Sequence, residues 1–104
     1  TWKRPEMAKI ADIYCDDIIL TDEDPYDDNP RSIVEEMKKA ITKKPCEIIM
    51  DRRQAIAKAI SKARAGDSVL ITGKGTDPYI MRANGKKEPW SDRAVAEEEL
   101  RKIL

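Results

Sequence analysis

Three short apolar runs, Asp17-Ile18-Ile19-Leu20-Thr21, Glu47-Ile48-Ile49-Met50 and Asp67-Ser68-Val69-Leu70-Ile71-Thr72, alternate with segments whose apolar residues return every three or four positions. This alternation restricts the chain more than any other feature. Runs rich in β-branched residues suit strands covered on both faces, and the helical segments between them supply the crossovers that parallel strands need. Ahead of the first run, Pro5, Met7, Ile10, Ala11 and Tyr14 predict an amphipathic helix over residues 5–14, with proline in its first turn. Ile33, Val34, Met37, Ala40 and Ile41 predict a second helix, stopped by Thr42-Lys43-Lys44-Pro45. Asp51, with Gln54 three residues on as in a capping box, opens a third through Ala55, Ile56, Ala59, Ile60 and Ala63, and Gly66 ends it.

Beyond the third run, Tyr79-Ile80-Met81-Arg82 and Lys86-Lys87-Glu88 flank Ala83-Asn84-Gly85, and Asn-Gly is a strong hairpin signal. Ser91 or Asp92 can cap a last helix that carries Val95, Ala96, Leu100 and Ile103 inward and leaves Glu97, Glu98 and Glu99 in solvent. The order argues for an α/β fold: a mainly parallel sheet with helices on both faces and a C-terminal antiparallel hairpin at its edge. In such sheets ligands gather at the carboxyl ends of the strands. The pattern opens on a helix, with Trp2 beside its start, and lacks an initial strand, which reads as a piece cut from a longer chain.

At 104 residues the sequence is one domain, small for a self-sufficient enzyme. Its 20 basic and 20 acidic side chains cancel, so nucleic acid and anionic membranes are not expected as partners. No apolar run is long enough for a membrane helix and residues 1–5 have no signal-peptide core, so a cytoplasmic protein is expected. Cys15 and Cys46 are isolated and histidine is absent, which points away from zinc, redox and triad chemistry.

Two loops stand where a ligand should bind. Gly73-Lys74-Gly75-Thr76-Asp77 leaves the third run with glycines that let backbone N–H groups approach an anion, although it is neither a Walker A loop nor GxGxxG, and a plain tight turn would account for it. Glu23-Asp24-Pro25-Tyr26 follows the first run with acidic groups, a rigid proline and an exposed phenol; a solvated connection is its plainer reading. The look-alike Asp28-Asn29-Pro30-Arg31 has a structural explanation, because Asn29-Pro30 matches a helix cap followed by proline at the first helical position. Capping also accounts for Asp51-Arg52 and Asp92-Arg93.

Taken together, KRPEMAKIA, DDIILTDEDP, DRRQAIAKAI, AGDSVLITGKGTDPY and WSD resemble, nearly end to end, the carboxyl-terminal domain of the Mur ligases, within them the branch that adds the third residue of the peptidoglycan stem peptide. The resemblance implies a Rossmann-like domain of a three-domain enzyme. ATP and Mg²⁺, held mainly by the central domain, would activate the D-glutamate carboxyl of a UDP-muramoyl dipeptide, and the amine of an incoming amino acid, a diamino acid in this branch, would displace phosphate. The domain would hold that amino acid, work with the central and amino-terminal domains, and be inactive alone.

The family's amino-acid motif, typically Asp-Asn-Pro-Arg, follows the second strand. Aligned without gaps from the strand, it falls on Glu23, Asp24, Pro25 and Tyr26, whereas residues 28–31 fall on the later segment that starts a helix. Tyr26 then replaces the arginine that grips the far carboxylate of diaminopimelate, and tyrosine cannot make that bidentate bond, so lysine or ornithine is an equal expectation. Gly73 aligns with a glycine whose backbone contacts the amino acid, Asp77 with a glutamate that binds its amino end, and Thr76 with a histidine. The alternatives are a sibling Mur-type ligase with another acceptor, or a non-catalytic phosphate- or nucleotide-binding module.

Overall fold

The computed structural model describes residues 3–22, 29–72 and 78–104. Four helices, α1 (Lys3–Tyr14), α2 (Pro30–Lys39), α3 (Arg52–Lys62) and α4 (Asp92–Ile103), accompany four short strands, β1 (Ile18–Leu20), β2 (Cys46–Ile48), β3 (Tyr79–Met81) and β4 (Lys87–Pro89). β1 and β2 pair in parallel, Ile18 against Cys46 and Leu20 against Ile48; β3 and β4 pair antiparallel, Tyr79 against Pro89 and Met81 against Lys87. The expected α/β class with a parallel sheet and a C-terminal hairpin is what the chain adopts, but among the described residues the hairpin forms its own two-stranded sheet and is not the edge of the parallel one.

The core forms where β1 meets α2. Ile18, Leu20 and Val34 are buried together, with Ala11, Cys15, Met37, Ile41, Cys46, Ile48 and Met50 packed around them. α3 packs on β1, and α4 lies along α3. Both cysteines are free thiols, and burial pushes the Cys46 thiol above its ordinary value, favouring the protonated form.

The helix starts follow the expected chemistry. The Asn29 side chain accepts from the Ser32 N–H at 3.1 Å, and Pro30 takes the first helical position of α2. Asp51 accepts from the Gln54 N–H at 2.9 Å at the start of α3, and Ser91, rather than Asp92, caps α4. In the hairpin turn Asn84 and Gly85 both have positive φ, 60° and 72°, the conformation that Asn-Gly was expected to supply. α3 stops at Lys62; Gly66, with φ of 92°, sits four residues later in a turn where the Asp67 N–H donates to the Arg64 carbonyl.

Three expectations are corrected. Residues 67–72 form no strand, and Val69 and Leu70 are exposed, Leu70 by 80%. A strand exists only when a neighbour accepts its ladder, and among the described residues none pairs with this run. In α1 the inward face is the small one, Ala8, Ala11 and Asp12, while Met7, Ile10 and Tyr14 face outward. In α4, Val95 is buried but Leu100 and Ile103 are exposed, and Glu98 and Glu99 hold the Arg53 guanidinium at 2.7 and 2.9 Å along the α3–α4 contact.

The reason for the α1 orientation is Asp12. Its buried carboxylate accepts the backbone N–H groups of Thr42, Lys43 and Lys44 at 2.9–3.0 Å, with the Thr42 hydroxyl at 3.3 Å, and so fastens α1 to the turn between α2 and β2. The Thr42 N–H first, then those of Lys43 and Lys44, hold this carboxyl below its ordinary pKa against the opposing effect of burial. No described helix is long and apolar enough to cross a membrane.

Candidate functional site

At the carboxyl ends of the first and third apolar runs the chain converges on the first turn of α3. Arg52 stands there, 5% exposed. Its Nε and Nη2 donate to the two carboxylate oxygens of Asp92, each at 2.8 Å, which is a bidentate, charge-assisted pair. The remaining donors go to main chain: Nη1 to the Asp22 carbonyl at 3.0 Å and Nη2 to the Thr72 carbonyl at 2.9 Å. Asp22 and Thr72 are the last described residues before 23–28 and 73–77. One side chain therefore ties together the two backbones that lead into both candidate loops.

Each partner is itself held. The Trp90 indole Nε1 donates at 2.6 Å to Asp92 Oδ1, the same oxygen that accepts from Arg52 Nε. The buried Asp22 carboxylate takes a bond from Arg82 Nη1, and Arg82 Nε donates to Glu88 at 2.8 Å, so the hairpin reaches back to the end of β1. Thr21 Oγ1 donates to the Met50 carbonyl at 3.3 Å, linking the ends of β1 and β2. Among the described residues no buried side-chain polar atom lacks a partner, so the cluster is fully satisfied and rigid rather than a spare binding group.

The six residues singled out from the sequence, Glu23, Asp24, Pro25, Tyr26, Gly73 and Asp77, lie outside the described residues, as do Lys74 and Thr76. What is described is the frame around them. Arg31, in the rival turn, is exposed on the first turn of α2, where its Nε bonds Glu35 at 3.0 Å. Capping explains Asp51 but not Asp92, whose carboxylate is buried against Arg52; the residue repeated in the two Asp-Arg doublets serves two unlike purposes. Among the described residues no group of three His, Cys, Asp or Glu side chains could hold a metal ion.

Comparison with known proteins adds a decisive observation. Residues 1–75 match the family model described as "Mur ligase, glutamate ligase domain". The chain belongs to the Mur ligase family. It is 46% identical over 97 residues to the UDP-N-acetylmuramoyl-L-alanyl-D-glutamate–2,6-diaminopimelate ligase of Aquifex aeolicus, covering 92% of this chain and 20% of that protein. The ligase of the same name from Clostridioides difficile is 41% identical over 99% of the chain and 22% of its own length. The UDP-N-acetylmuramyl-tripeptide synthetase of Borreliella afzelii is 42% identical over 89% of the chain and 19% of its length. The chain spans about a fifth of the curated relatives it matches.

For this Mur ligase domain, sequence reasoning passed over Asp12, Asp22, Arg52, Arg82, Trp90 and Asp92. The doublets Asp51-Arg52 and Asp92-Arg93 were visible as a repeat, but nothing local in either announces that Arg52 of one meets Asp92 of the other.

Proposed function

We propose that this domain receives the incoming amino acid in an ATP-dependent ligase that adds a diamino acid, as third residue, to UDP-N-acetylmuramoyl-L-alanyl-D-glutamate in the cytoplasm. The observation that carries the reading is the match with ligases so named along nearly the whole chain. The polar cluster supports it, because the ends of two runs are bound to one guanidinium beside both loops expected to contact the amino acid. In this reading Glu23, Asp24, Pro25 and Tyr26 form one wall of the acceptor site, and Gly73 and Asp77 the other. Asp77 and Asp24 supply negative charge for the amine, whose placement near an activated carboxyl lowers the barrier by orientation. In such an enzyme ATP and Mg²⁺ would be held mainly by the central domain and would supply the activation of the dipeptide carboxyl.

The test is ligation by the intact enzyme with ATP, UDP-muramoyl dipeptide and each of diaminopimelate, lysine, ornithine and serine. The expected result is phosphate release coupled to a tripeptide product with a diamino acid and none with serine. Diaminopimelate is favoured by the names of the relatives, and lysine or ornithine by Tyr26 in the position of the family's arginine. Turnover with none of the four would overturn the assignment.

A further inference from the structure

Resting on that reading, we propose that Arg52 is a positioning residue for acceptor recognition: clamped by Asp92 and Trp90, it sets how far apart the two backbones entering the acceptor loops stand. Three observations carry this. The guanidinium uses three nitrogens on four acceptors, and two of those acceptors are the carbonyls of Asp22 and Thr72, fifty residues apart in sequence. The Arg52–Asp92 pair is buried, so water competes little for the fork that holds the guanidinium. The Asp92 carboxylate takes both the fork of Arg52 and the Trp90 N–H, so the guanidinium has one orientation.

A cap or a core ion pair would need only Asp92; the bonds to main chain at the two loop entrances are what such a role leaves unexplained. Residues 67–72 have no strand ladder among the described residues. The Arg52 bond to Thr72 therefore takes the place that sheet pairing would fill in locating the start of the second loop. Asp22 is held twice, by Arg52 at its carbonyl and by Arg82 at its carboxylate, so the first entrance is fixed in position and in direction.

The experiment uses the intact ligase and the Arg52→Lys variant, which keeps the charge but cannot span four acceptors, together with Trp90→Phe, which removes the N–H to Asp92 along with part of the ring and leaves Arg52 itself in place. The Michaelis constants for acceptor, ATP and UDP-muramoyl dipeptide are measured, with the folded fraction monitored at the assay temperature. Arg52→Lys is expected to raise the acceptor constant roughly tenfold and Trp90→Phe about threefold, with the other two constants within about twofold of the parent. Backbone NMR relaxation gives a readout without turnover: in both variants residues 21–22 and 71–72 should gain motion together, while those of α1 stay unchanged.

An unchanged acceptor constant in a folded variant, or three constants moving in step, would overturn the proposal; if Arg52→Lys does not fold, Trp90→Phe decides it alone. Should the parent ligate no amino acid, the functional reading fails, and the relaxation pattern still decides whether Arg52 locks the two entrances.

Discussion

Asp12 shows how one carboxylate can set the attitude of a helix. Three backbone N–H groups and a hydroxyl converge on it, so its folded pKa lies below the ordinary 3.8. A depressed carboxyl contributes stability that is complete above the unfolded value and lost as pH falls through the folded one. Asp12→Asn should lower the urea midpoint clearly at pH 7, and the gap to the parent should close as pH falls through the depressed pKa of the folded carboxyl. A gap independent of pH would mean that packing, not charge, fastens α1. At Arg52 and Asp92 the penalty has another source: truncating one partner strands the other's charge in a dry site. Asp92→Ala should cost about 3–5 kcal/mol in chemical unfolding, whereas Arg52→Met with Asp92→Leu should recover most of that loss.

At the scale of elements, local chemistry was legible and pairing was not. Asn29-Pro30, Asp51 with Gln54, and Asn84-Gly85 are short-range devices whose partners lie within a few residues, and all three stand where the sequence places them. Asn29→Ala should cost about 1 kcal/mol by exposing the first N–H groups of α2. Asn84→Val should cost at least that much, because a β-branched residue resists a φ of 60°; equal stabilities by calorimetry would contradict the turn assignment. Val69, Leu70 and Ile71 give residues 67–72 strand character, yet a strand is a property of two segments and the described residues provide no second one. The α1 face was hidden because periodicity weights large side chains, whereas Ala8 and Ala11 permit close approach to α2. Arg52 and Asp92 lie forty positions apart, beyond any local pattern.

For the whole molecule, the family was legible because five blocks in order constrain far more than any one of them, and residues 1–75, which hold the first three blocks and most of the fourth, match the family model. Counting outward from β1 makes residues 23–26 the proposed acceptor turn and residues 28–31 the start of a helix. The second half of that count is visible, with Asn29 capping α2 and Arg31 engaged with Glu35 on the surface. The most direct test of the first half compares acceptor Michaelis constants of the intact ligase carrying Tyr26→Ala or Arg31→Ala. Tyr26→Ala is predicted to raise the constant about tenfold or more and Arg31→Ala to leave it within about twofold. A large rise for Arg31→Ala with none for Tyr26→Ala would contradict the account.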